Sequence, residues 1–141
     1  MSVPDDTPPA APAAADDSGL RLRLVLEPDV AFGPGKADLL EGIAETGSIA
    51  AAGRRMGMSY KRAWTLVETL NGAFAAPLVA RSRGGAQGGG ARLTETGATV
   101  LALYRDIEAK AARASRADRD RLQALLRSQR PAGEAAEDPD A

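Results

Sequence analysis

A chain of 141 residues that is 44% hydrophobic but only 4% aromatic has material for one modest core built on alanine and leucine, and a second globular domain is not expected. With no cysteine and no histidine, disulfides, thiol chemistry, soft-metal sites and imidazole catalysis are excluded, so neither a metal site nor a cofactor is expected. The net charge of −1 hides a segregation: residues 1–19 and 131–141 each hold four acids and no base, which leaves residues 20–130 at +7, a sign that attracts polyanions such as nucleic acid.

Residues 1–19, with Pro4, Pro8, Pro9 and Pro12 among alanines and aspartates, have too little large apolar surface to offset ordering entropy and read as a disordered acidic tail. They have neither the basic start nor the apolar run of a signal peptide. No stretch reaches the length of a membrane span, so a cytoplasmic location without membrane contact is the default expectation. Leu20 to Leu26, LRLRLVL, alternates apolar and basic residues, which predicts a strand with Leu20, Leu22, Leu24 and Leu26 on one half-buried face. Pro28 to Gly35 reads as a turn-rich connection. A helix then runs from Gly35 or Lys36 to Glu45, burying Leu39, Leu40 and Ile43, with Gly47 as its stop.

The most informative stretch is Ser48 to Asn71. Two short helical patterns, each opened by a serine suited to an N-cap, are separated by the Gly57-Met58 break. In the first, Ile49, Ala52 and Met56 take core spacing; in the second, Ala63, Val67, Leu70 and Phe74 do, which leaves Lys61, Arg62 and Thr65 on the opposite side. This is the layout of a helix-turn-helix. Tyr60 and Trp64 fall at the boundary between the two faces. Core packing and DNA contact are equally open readings for Tyr60, and packing is the first reading for Trp64.

Leu78 to Arg81 and Ala91 to Thr94 then read as two strands around the glycine-rich loop SRGGAQGGG. The loop lacks the Gly-Lys-Ser/Thr of a phosphate-binding loop and leads into a strand, so nucleotide binding is not expected. A hairpin with Arg81, Arg83 and Arg92 at its base suits a wing along a DNA backbone; an ordinary hairpin is the plainer alternative. Between Arg54 and Arg92 seven basic residues face the single acid Glu68. Thr94 is placed to cap the next helix, in which Val100, Leu101, Tyr104, Ile107, Ala111 and Ala114 form one apolar side. SRADRDR from Ser115 to Arg121 interrupts that pattern, which predicts a break near Ser115 before a last short helix with Leu122, Leu125 and Leu126. Residues 129–141 read as a second disordered acidic tail.

The runs Gly47-Ser48, Ser59-Tyr60-Lys61-Arg62-Ala63-Trp64, the glycines from Gly84 to Gly90, and Leu93-Thr94-x-x-Gly97 together resemble the DNA-binding domain of ModE-type molybdate-responsive regulators, and more distantly the winged helix-turn-helix of LysR-type regulators. The resemblance covers about Leu20 to Leu126. It implies a dimer that places Tyr60 to Thr65 in the major groove and the 84–90 wing against the backbone. Full-length members also carry C-terminal domains that bind molybdate or tungstate. Here about 15 residues follow Leu126, too few for such domains, and nothing in the spacing of the chain points to an oxyanion site, so direct sensing is not part of the expectation.

The resulting expectation is a mainly α fold with a small β component: a winged helix-turn-helix followed by a dimerisation helix, within one domain of residues 20–128. Its function is that of a sequence-specific transcription regulator binding palindromic double-stranded DNA as a homodimer, linked to molybdenum or oxyanion metabolism. Ser48, Arg54, Arg55, Ser59, Tyr60, Lys61, Arg62, Thr65, Arg81, Arg83, Gln87 and Arg92 are the candidate DNA-binding residues. Val100, Leu101, Tyr104, Ile107, Leu122 and Leu125 are the candidate dimerisation residues. The alternative is a protein–protein dimerisation module that modulates a full-length regulator without binding DNA itself. An enzyme is not expected, because the carboxylates are scattered or lie in the tails and Ser59 has no base beside it.

Overall fold

Leucine at every second position from Leu20 to Leu26 sets up a half-buried strand, and the computed structural model, which describes residues 19–82 and 90–127, realises part of it. Strand β1 (Leu24–Glu27) pairs antiparallel with β2 (Val30–Phe32). The expected turn-rich connection after Pro28 is therefore shorter than its composition suggested and holds a strand. Leu24 faces Phe32 and Val25 faces Ala31, but Glu27 faces Val30, so Leu26 is an extra residue in the ladder. Such a bulge breaks the alternation of faces. Leu20, Leu22 and Leu24 remain half-buried, while Leu26, expected on the same face, is 50% exposed.

Pro34 opens α1 (Pro34–Thr46), where its missing N–H costs nothing. Ala37, Leu39, Leu40 and Ile43 form the buried stripe of this helix. Gly47 ends it with φ +74°, a conformation that favours glycine, and its N–H donates to the Ile43 carbonyl at 2.8 Å. The next two helices are α2 (Ile49–Arg55) and α3 (Tyr60–Ala73). Each is capped by the expected serine: the Ser48 hydroxyl accepts from the Ala51 N–H at 3.0 Å, and that of Ser59 from the Arg62 N–H at 3.1 Å. Between them, Gly53 lies so close to α3 that a Cβ there would sit 2.9 Å from that of Ala63, which is how two short helices cross tightly.

Strands β3 (Val79–Ser82) and β4 (Gly90–Leu93) form the predicted hairpin, one residue later at β3 and one earlier at β4 than the sequence pattern placed them. Its free edge is joined to the first helix pair, since the Ala91 N–H donates to the Gly47 carbonyl at 3.0 Å. The final helix, α4 (Glu95–Ala124), is capped by Thr94, whose hydroxyl accepts from the Gly97 N–H and donates to the Pro77 carbonyl. At Gly97 a side chain would collide with the Leu78 carbonyl, so the first turn of α4 packs directly on the chain entering β3.

Two expectations about α4 are corrected. No break occurs at Ser115: its hydroxyl donates back to the Ala111 carbonyl at 2.7 Å and accepts from Arg119 at 3.0 Å, while Arg119 also reaches the Ala112 carbonyl. SRADRDR contains neither Gly nor Pro, and these local bonds suffice to carry the helix through it. Tyr104, expected on the dimerisation face, is 2% exposed within the single chain. Its ring meets Phe32 edge-on at 5.2 Å, and its hydroxyl donates to the Leu22 carbonyl at 2.7 Å. Tyr104 thus holds the irregular segment before β1 onto the core, a contact across 82 residues that periodicity alone does not reveal.

The described residues divide into two compact units, one ending at Ala109 and the other beginning at Lys110. The first contains the core, around Phe32, Leu39, Leu40, Ile43, Leu78 and Tyr104. Its α1 and α4 portions are tied by Arg105, which pairs with Asp38 at 2.8 Å, Glu41 at 2.7 Å and Glu108 at 3.0 Å. Partial burial would lower the Arg105 pKa, but the hydrogen bonds to these three carboxylates outweigh it and raise the value. In the second unit Leu122, Leu125 and Leu126 are exposed. The expectations for residues 1–18 and for 128–141 lie outside the described residues.

Burial, followed by the nearby Glu108 carboxylate, pushes the Tyr104 hydroxyl from 10.0 up to about 12. The unfolded chain releases that proton near pH 10 while the folded chain keeps it, so the contribution is fully present below pH 10 and is lost as pH rises toward 12. Urea unfolding across this range is expected to show a loss of about 2–3 kcal/mol that Tyr104→Phe largely removes. An equal loss in the Phe variant would place its cause elsewhere.

Candidate functional site

Burial of Ala63, Val67 and Leu70 fixes the rotation of α3 and turns Lys61, Arg62 and Thr65 outward. Tyr60 is 52% exposed and therefore completes the outer face, whereas Trp64 is half-buried against the core. Ser59, Lys61, Arg62, Thr65 and Leu66 line a depression of about 270 Å³ on this face. The first turn of α3 holds two cations and no acid. A helix start already carries partial positive charge from its unpaired N–H groups, so cations there are locally unfavourable. The same arrangement becomes favourable when an anion approaches. Among the described residues, neither Lys61 nor Arg62 is held in an ion pair.

The other expected residues are distributed around this face with different freedom. Ser48 and Ser59 are engaged as caps, which positions the helices that carry the cations. Arg54 is exposed in the last turn of α2, while Arg55 donates to Glu45 at 2.7 Å. In the hairpin, Arg81 lies opposite Ala91 and Arg92 opposite Ala80. Because strand faces alternate, the two arginines point to opposite sides of the ribbon. Arg81 shares its side with the buried Val79 and Ala91, and its guanidinium lies 5.4 Å from the centroid of the Trp64 ring. Arg92 is exposed on the other side. Arg83 and Gln87 lie outside the described residues.

Sequence reasoning missed Asn71. Its carboxamide oxygen accepts from the Leu78 N–H at 2.8 Å and the Val79 N–H at 3.0 Å, and its nitrogen donates to the Val79 carbonyl at 3.2 Å. One side chain in the last turns of α3 thus takes the place of a neighbouring strand at the start of β3. An asparagine at this point in a helix carries no periodic signal, because its partners lie beyond an intervening turn.

The comparisons with known proteins agree with this geometry. Residues 36–98, from the start of α1 to the start of α4, match the family described as bacterial regulatory helix-turn-helix protein, lysR family. Over 99 residues, 70% of this chain and 37% of the relative, the chain is 44% identical to the molybdenum-pterin-binding protein MopB of Rhodobacter capsulatus. It is 42% identical over 88 residues to the molybdenum transport protein ModE of Azotobacter vinelandii, a match over 61% of this chain and 33% of that one. With the DNA-binding transcriptional dual regulator ModE of Escherichia coli K12 the identity is 39% over 83 residues, covering 59% and 32%. The chain therefore spans about a third of the length of the curated relatives it matches.

Asn71→Ala strips the partners from two backbone donors and one acceptor and is expected to cost about 2 kcal/mol in denaturant unfolding. Asn71→Asp, which keeps the acceptor for both N–H groups, is expected to lose less. Equal stability of Asn71→Ala and the parent would show that the contact contributes nothing.

Proposed function

Because the chain carries a ModE-like helix-turn-helix domain of the lysR type, we propose that it is a transcription regulator that binds double-stranded DNA and acts on genes of molybdenum metabolism. The observation that carries this reading is the exposed start of α3, with Lys61 and Arg62 outside any ion pair among the described residues. In this reading α3 enters the major groove, where Lys61, Arg62, Thr65 and Tyr60 meet base edges. Arg54, Arg81 and Arg92 contact phosphates, while Arg55 shares its charge with Glu45 and contributes less. Ser48 and Ser59 act by fixing the helix starts.

The reading includes a homodimer. Ile107, 38% exposed, together with the exposed Leu122 and Leu125, supports pairing through α4 and the turn after it. Val100 and Leu101 are half-buried against the core and contribute at most their outer edges. A symmetric dimer reads a palindrome with half-sites roughly 34 Å or a multiple apart. No helix of the described residues is long and apolar enough to cross a membrane. A cytoplasmic location and a regulatory rather than catalytic role are part of the same reading, carried by the likeness to DNA-binding regulators.

Selection of bound duplexes from a random pool tests the function, and a palindrome is the expected product. Repeating it with molybdate or tungstate separates a ligand-linked reader from a ligand-independent one. Arg62→Ala is expected to relax preference at one position of each half-site by about 1–3 kcal/mol. Failure of the parent to enrich any sequence would favour a dimerisation module that does not read DNA.

A further inference from the structure

Arg81 occupies an unusual place for an exposed arginine: it lies on the side of the β3–β4 hairpin that carries Val79 and Ala91 into the core. An aliphatic residue there would continue the core. Instead the guanidinium is laid over Trp64, one turn along α3 from Tyr60 and Lys61. Trp64 is itself held half-buried against the core, so its ring is a fixed surface. Asn71, seven residues further along α3, fixes the start of the same strand. Helix and strand are therefore joined at two points, one through hydrogen bonds from the Asn71 side chain to the backbone and one through a cation over a ring.

We propose that Trp64 is a positioning residue: it holds the guanidinium of Arg81 beside the exposed face of α3, so that a phosphate of the DNA backbone meets a preset cation rather than a freely moving one. This rests on the DNA-binding reading above and assigns to that site a residue that touches no base. An arginine stacked on an aromatic face keeps its N–H donors free in the plane of the guanidinium, where a phosphate binds. Ordering the side chain before DNA arrives removes part of the entropy otherwise lost on binding. Among the described residues no aromatic ring lies under Arg92, on the opposite side of the hairpin, which makes the two wing arginines unequal.

The test is a salt series with a labelled duplex of mixed sequence, about 30 base pairs long, from about 50 to 300 mM KCl, using the full chain and its R81Q, W64F, W64L and W64L/R81Q variants. R81Q is expected to lower affinity about tenfold and to reduce the slope of log affinity against log salt by roughly 0.9, the loss of one phosphate contact. W64F keeps an aromatic face and should retain most of the slope; W64L should lose as much as R81Q, and the double variant no more than either. Emission from Trp64, the sole tryptophan, should shift in R81Q without DNA, a readout that does not depend on W64L folding. Independent, multiplying losses from W64L and R81Q, or a full salt slope in W64L, would overturn the proposal, as would unchanged Trp64 emission in R81Q. Absence of salt-dependent binding by the parent chain would instead overturn the DNA-binding reading, and this inference with it.

Discussion

The carboxamide of Asn71 bridges α3 to the first residues of β3, and the geometry of the exposed face depends on that bridge. A hairpin of two short strands has little stability of its own. Here β3 is anchored at its start by Asn71, β4 is tied along its free edge to the Gly47 carbonyl, and Thr94 binds the Pro77 carbonyl while opening α4. Gly47 serves two ends at once, because the residue that stops α1 also offers its carbonyl to the wing. The helix pair, the hairpin and the first turn of α4 are thereby held by two side chains, Asn71 and Thr94, bonded to backbone groups, and by one backbone bond from Ala91 to Gly47.

Against this fixed frame, the charge placement on α3 runs counter to local stability. Two cations in a first turn without an acid oppose the helix dipole, and a sequence selected for folding alone would place Asp or Glu there. Arg105 shows the opposite practice, since its three carboxylates satisfy it within the fold. The contrast separates a cation used to join α1 to α4 from two cations outside any ion pair among the described residues, which the proposed function assigns to DNA. A local rule broken on so constrained a frame is the feature on which the proposed site rests.

What the sequence made legible was local. Ser48 and Ser59 were readable as caps because their partners lie three residues away, and the rotation of α3 followed from the spacing of Ala63, Val67 and Leu70. The wing was visible because glycines and arginines cluster around it. What stayed hidden needed distant partners. The bulge at Leu26 exists only relative to β2, and Tyr104 looked like one more residue on an apolar helix face because Phe32 and the Leu22 carbonyl are far away in the chain. Ser115 misled for a different reason: a run of polar residues breaks hydrophobic periodicity without breaking a helix. Trp64 was readable as packing, but its contact with Arg81 required the hairpin to be placed.

The match to the lysR-type helix-turn-helix family covers residues 36–98, which contain α3 and the hairpin, and the chain spans about a third of the length of the relatives named for molybdenum and for DNA-binding transcriptional regulation. In the proposed function the start of α3 is the surface that meets DNA. Backbone amide NMR of the full chain titrated with a duplex tests it most directly. Shifts are expected to concentrate on residues 59–66, with a second group on residues 79–82 and 90–93, and little change in residues 110–124. Shifts confined to residues 110–124, or none at saturating duplex, would contradict it.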